Sequence, residues 1–95
     1  MFVDIFVNKS KIYTYEVPQG MQVEIGNEVE VPLRNARCTG YVLRQREKPP
    51  FNTRPIYAVC SPRRYFTQDL VDLCFFIAEY YYCFPETALK ALCPK

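Results

Sequence analysis

Eight of the twelve basic residues fall between positions 34 and 64: Arg34, Arg37, Arg44, Arg46, Lys48, Arg54, Arg63 and Arg64, opposed by Glu47 alone. That stretch carries +7. Residues 1–33 set two lysines against five acids, net −3, and residues 65–95 set two lysines against four acids, net −2. A formal net charge of +2 therefore conceals a basic middle between acidic ends. Seven of the eight central cations are arginine, whose planar fork matches phosphate oxygens and stacks on bases. Folded onto one face, they would form a footprint for a phosphate backbone; left in a loop, they would serve solubility. Fifteen aromatics accompany them. An aromatic on a basic groove stacks on a nucleobase for about 1–3 kcal/mol. Tyr13 and Tyr15 share one face of a β-prone run, where such a platform would stand. Phe75, Phe76, Tyr80, Tyr81 and Tyr82 have helical spacing and are expected in a core.

Other chemistries lack their residues. There is no histidine, hence no histidine base, Ser-His pair or histidine metal ligand. The three glycines, Gly20, Gly26 and Gly40, fit neither a Walker A loop nor a dinucleotide fingerprint. Cys38, Cys60, Cys74, Cys83 and Cys93 are odd in number and contain no CxxC pair. A zinc site is disfavoured by that spacing, and reduced, mostly buried thiols of a cytosolic protein are expected. No cofactor and no catalytic role are expected of this chain.

The elements that must position these groups can be read from periodicity. Ninety-five residues suffice for one small domain, and 49% hydrophobic with 23% charged residues is ordinary for a folded one. No apolar run approaches the ~20 residues of a membrane span. The early acid in Met1-Phe2-Val3-Asp4 argues against a secretory signal. Strands are predicted at 2–7, 12–17, 28–31, 39–43 and 56–60. Pro32 and Ser61-Pro62 are expected to end two of them, with a basic loop at 33–38. Gly40 suggests a bulge or a close backbone approach. Thr67 is a candidate N-cap for a helix over 68–82, with Leu70, Leu73, Cys74, Ile77, Tyr80 and Tyr81 as its apolar stripe. Pro85 suits the first turn of a second helix ending near Leu92. Strands followed by helices give an α+β domain: a small twisted, partly closed antiparallel sheet, its core covered by carboxy-terminal helices.

The ordered set Val3-Asp4-Ile5, Tyr13-Thr14-Tyr15-Glu16-Val17-Pro18-Gln19-Gly20-Met21, Gly26, Val29-Glu30-Val31-Pro32, Thr39-Gly40-Tyr41-Val42, Arg54-Pro55-Ile56 and Leu73-Cys74-Phe75-Phe76-Ile77-Ala78-Glu79-Tyr80-Tyr81 spans nearly the whole chain. It resembles the amino-terminal 3′ DNA-binding domain of the bacterial primosomal replication-restart helicase, primosomal protein N′ (PriA). That family's pattern runs Phe-Asp-Tyr-x-x-Pro-x-Gly, Gly-x-x-Val-x-Val-Pro-Phe-Gly, Gly-x-Val, Lys-Pro-Ile and an Ala-x-Tyr-Tyr helix. The resemblance implies a domain excised from a cytoplasmic bacterial DNA helicase, which binds the 3′-terminal nucleotide of a nascent strand at stalled forks. The implied partners are a single-stranded DNA 3′ end or forked DNA, the helicase domains of the same parent chain and single-stranded-DNA-binding protein, with no membrane. The family's base-contacting aromatic falls on Tyr13. Its hydroxyl-binding Asp falls on Thr14, which accepts a hydrogen bond but supplies no charge. Its Gly after Pro-Phe falls on Arg34, and its Lys before Pro-Ile on Arg54.

The expected function is sequence-tolerant binding of single-stranded DNA at its 3′ end. Tyr13 would stack on the terminal base, Thr14 meet the hydroxyl, and Arg54 and Arg34 neutralise phosphate. Arg37, Arg44, Arg46 and Tyr15 would extend the groove. The departures at Thr14 and Arg34 leave a protein-docking module as the alternative. A general single-strand binder is a third reading, distinguished by tight binding to closed circles.

Overall fold

The computed structural model describes residues 1–65, 67–80 and 84–92. Five strands precede two helices: β1 (Phe2–Val7), β2 (Lys11–Glu16), β3 (Asn27–Leu33), β4 (Ala36–Arg46), β5 (Ala58–Arg64), α1 (Gln68–Tyr80) and α2 (Pro85–Leu92). The strands form one antiparallel sheet in the order β2-β1-β4-β3-β5, so the domain is α+β as expected. The sheet curls until its edges are bridged. Glu16 N–H donates to the Arg54 carbonyl at 2.9 Å, Ile56 N–H to the Glu16 carbonyl at 3.0 Å, and Tyr57 N–H to the Glu30 carbonyl at 2.8 Å. Residues 54–57 thus lace the end of β2 to β3, and the sheet is a partly closed barrel.

Alternation along β1 shows what the closure does. Val3, Ile5 and Val7 point inward with Tyr15, Val17, Val29, Val31, Val42 and Ile56, a cluster that the sheet encloses by itself. Phe6 points outward with Tyr41 and Leu43, and there meets Val71, Cys74 and Leu89 of the helices. The single helix-covered core expected from sequence is therefore two cores, one on each face of the sheet. Gly40 permits the pairing between them. A Cβ built there would stand 2.5 Å from Ile5 Cγ2 and 2.9 Å from the Phe6 carbonyl oxygen. The close approach expected at this glycine is present.

Three expectations about ends and faces are corrected. Pro32 does not end β3, and residues 33–38 are not a loop: β3 and β4 are joined by a two-residue turn at Arg34-Asn35. Pro32 lies beyond Glu30, the last β3 residue paired with β5, so its missing N–H removes no ladder bond. Ser61-Pro62 likewise does not break β5. That strand is at the sheet edge, and its register to β3 skips from Ser61 to Arg64 across the proline. On α1 the buried face is Val71, Cys74 and Ala78, with Phe75 packed beside it, whereas Leu70, Leu73, Phe76 and Tyr80 are exposed. That buried face packs on α2 and, through Val71 and Cys74, on the outer side of the sheet at Phe6, Tyr41 and Leu43. Tyr81, Tyr82, Cys83 and Cys93 lie outside the described residues. Thr67 does cap α1, its Oγ1 accepting from Leu70 N–H at 3.4 Å. Of the described cysteines only Cys74 is buried; Cys38 is partly covered and Cys60 exposed, and all three are free thiols. The expectation of mostly buried thiols is corrected for these three. Among the described residues no helix is long and apolar enough to cross a membrane.

Candidate nucleic-acid interface

β2 passes close to the β3–β4 turn, where the Tyr15 hydroxyl reaches the Pro32 carbonyl. A cleft of about 580 Å³ lies there, lined by β2 from Ile12 to Tyr15, by Asp4 of β1, by Arg44 and Arg46 of β4, by the turn from Pro32 to Arg34 and by the segment from Phe51 to Arg54. Three hydrogen bonds stitch its walls. Tyr15 donates its hydroxyl to the Pro32 carbonyl at 2.8 Å, Arg54 Nη1 donates to the Arg34 carbonyl at 3.0 Å, and Glu16 N–H holds the Arg54 carbonyl. Each joins segments far apart in sequence.

Tyr13, Thr14, Tyr15, Arg34, Arg44, Arg46 and Arg54, all singled out from sequence, line this one cleft. Arg37 does not. Its Nη1 is 2.8 Å from Glu30 Oε1, and its guanidinium sits 4.6 Å from the centre of the Tyr57 ring. Arg63 and Arg64 are also elsewhere, one over Tyr65 and the other donating to the Ile25 carbonyl. Only part of the basic middle converges. Tyr13 and Tyr15 share one face of β2 as expected, opposite Ile5 and Val3, but only one of them is open. Tyr13 is 38% exposed and faces the cleft, whereas Tyr15 is 4% exposed and packs in the barrel interior. Burial, followed by the nearby Cys38 and Tyr13, pushes the Tyr15 phenol up to about 12. Tyr15 is a neutral wall, and Tyr13 is the open ring.

Arg34 occupies the first position of the two-residue turn with φ of +58°. An L-residue pays a steric cost there that glycine does not. The turn thus holds an arginine at the cleft in a backbone conformation suited to glycine.

The cleft is also edged, on the helix-side face of the sheet across β2 from Tyr13 and Tyr15, by a polar cluster that sequence reading did not assemble. Asp4 lies opposite Thr14 in the β1–β2 register and opposite Arg44 in the β1–β4 register. The β1–β4 register slips between Asp4 and Ile5, leaving Leu43 as an extra residue on β4. This bulge sets Leu43 against the helices while Arg44 still meets Asp4. Arg44 Nε is 2.9 Å from Asp4 Oδ2, and Thr14 donates its hydroxyl to Asp4 Oδ1 at 2.8 Å. Arg46 Nη1 donates to Thr14 Oγ1 at 3.1 Å and is 3.5 Å from Asp4 Oδ1. The Arg44 guanidinium also lies 4.6 Å from the centre of the Phe75 ring, so α1 helps hold it. A lone carboxylate in the otherwise apolar run Phe2–Val7 was the available signal for Asp4. Phe51, 54% exposed on the cleft rim, was hidden in a proline-flanked loop with no periodicity.

The cleft thus combines an open tyrosine, a rim phenylalanine and four arginines against one carboxylate. Aromatic faces with cations suit a base and its phosphates. The sequence model of a family described as a 3′ DNA-binding domain (3′BD) matches residues 3–94. No curated protein matches the chain.

Proposed function

Because the chain belongs to the PriA 3′ DNA-binding domain family, we propose that its cleft binds the 3′-terminal nucleotide of single-stranded DNA. The observation that carries this reading is the convergence of Tyr13 and Arg54 on one hollow. Tyr13 offers its ring to the terminal base, and Phe51 offers a second apolar surface on the rim. Arg54 and Arg34 meet the phosphates. Arg54 Nη1 donates to the Arg34 carbonyl, which ties the position of one cation to the backbone of the other. Recognition is sequence-tolerant, since every base has a π face. The natural ligand is the nascent strand end at a stalled replication fork, and the domain serves a larger replication-restart helicase in the bacterial cytoplasm. Its further partners are the helicase domains of that chain and single-stranded-DNA-binding protein. It binds without catalysis and without a cofactor.

The test compares a linear oligonucleotide with a closed circle of the same composition. End recognition requires the linear strand to bind tighter, and equal affinity rejects it. Tyr13→Ala and Arg54→Ala should each weaken the linear strand, Arg54→Ala also lowering the salt dependence.

The docking-module reading draws on a different feature, the exposed row of Leu73, Phe76 and Tyr80 on α1. Phe76 and Tyr80 stack on one another with ring centres 6.1 Å apart. Salt separates the two readings: phosphate binding weakens steeply with added salt, while an apolar docking face is indifferent.

A further inference from the structure

The segment between β4 and β5 borders two hollows. Phe51, Asn52 and Thr53 line the cleft, and they also line a smaller hollow of about 270 Å³ whose remaining walls are Phe2, Glu16 and Lys48. Phe2 pairs with Glu16 two positions along from the Asp4–Thr14 pair. By alternation both side chains point to the helix-side face of the sheet, across β2 from Tyr13 and Tyr15. Phe51 stands where the two hollows adjoin. It is 54% exposed and joins neither core cluster. The backbone on either side of it is fixed. Pro49 is buried, Pro50 has a locked φ, and the Arg54 carbonyl is held by Glu16 N–H. A ring presented by a tethered segment costs little to order on a ligand. Lys48, beside it, is exposed and makes no ion pair among the described residues.

Resting on the 3′-end reading, we propose that the small hollow is a second nucleotide site, which takes the penultimate base of the strand whose last nucleotide occupies the cleft. The penultimate base lies against Phe51 and Phe2, and Lys48 meets its phosphate. Glu16 is the one carboxylate on the wall of this hollow. It repels a phosphate and accepts from base N–H groups, so the base rather than the backbone faces it. The other continuation from the cleft runs past Arg44 and Arg46. It offers cations but no open ring, because the Arg44 guanidinium already lies over Phe75. A strand that passes Phe51 gains a stacking surface and a cation together. Tyr13 and Phe51 then hold two successive bases by their π faces, which preserves tolerance of sequence.

Anisotropy competition at low salt would compare four DNAs of one sequence: an intact decamer, a decamer with an abasic site at the penultimate position, one with the abasic site fifth from the 3′ end, and a closed circle. The expected result is about fivefold weaker binding of the penultimate abasic strand and no loss for the distal one. In Phe51→Ala the penultimate abasic site should cost nothing further, because the ring that its base meets is gone. Lys48→Gln should lower the slope of log affinity against log salt by roughly 0.7. Both side chains are exposed, so neither substitution threatens the fold. A penultimate abasic strand that binds like the intact one, while the linear strand still binds tighter than the circle, overturns the second site alone. A penultimate loss that persists in Phe51→Ala but disappears in Arg44→Gln also overturns it, by putting that base on the arginine side. An unchanged salt slope in Lys48→Gln removes the phosphate contact. Circle and intact linear strand binding alike overturns the 3′-end reading itself, and the second site with it.

Discussion

Arg34 sets two residue-scale properties against each other. Its φ of +58° favours glycine, yet its side chain adds a cation to the cleft. Arg34→Gly should therefore stabilise the fold by about 1 kcal/mol through relief of the left-handed backbone. It should at the same time weaken oligonucleotide binding severalfold. Chemical denaturation and anisotropy on the same preparation would check both signs, and a variant that loses stability would show that the side chain, not the backbone, governs the turn. Tyr15 makes a separate prediction. Its phenol ionises near 10 when the chain is unfolded and near 12 when folded, because burial disfavours the phenolate. The stability from keeping it neutral is fully present below pH 10 and is lost as pH rises through 12. Two units correspond to about 2.7 kcal/mol. Tyr15→Phe should be about 1 kcal/mol less stable at pH 7, for want of the bond to Pro32. It should also show a shallower loss of stability than the parent between pH 10 and 12, measured by urea denaturation across that range.

Elements decide which residues meet, and here Gly40 and the β4 bulge matter most. Gly40→Ala should cost about 1–3 kcal/mol, since its Cβ would press on the Phe6 backbone as well as on Ile5, and backbone cannot swing aside. A thermal melt of that variant checks it; an unchanged midpoint would mean that β1 and β4 separate freely. The close approach at Gly40 was legible because a glycine inside a β-prone run has few other purposes. The bulge was not legible, for nothing in Tyr41-Val42-Leu43-Arg44 marks where one residue is left over. Proline misled in the same way at Pro32 and at Pro62. Its cost depends on whether a neighbouring strand needs its N–H, and that is decided by distant pairing. The helix α1 was located correctly and its buried face was not. Two apolar stripes are available on Gln68–Tyr80, and burial goes to Val71, Cys74 and Ala78, of which Val71 and Cys74 join the cluster shared with the sheet.

At the scale of the whole molecule, charge is sorted rather than spread. Four of the eight central cations reach the cleft, and Arg37, Arg63 and Arg64 are held elsewhere. Periodicity could not foresee that division, because it follows from which strand edges the barrel leaves open. What the sequence did carry was the resemblance, whose matched positions Tyr13, Thr14, Arg34 and Arg54 line one cleft although 40 residues separate the first from the last. Binding at such a cleft should weaken steeply with ionic strength. If two to four phosphates are contacted, the slope of log affinity against log salt on a single strand should be roughly −1.5 to −3. A slope near zero would place the ligand outside the arginine cluster. The stitching of the cleft walls has one more consequence. Asp4, Tyr13, Arg34, Arg46 and Arg54 are neighbours only while the barrel is shut, so an unfolded or half-assembled chain owns no binding site. A bound oligonucleotide must then act as a clasp on the seam, raising the melting temperature in step with its free concentration.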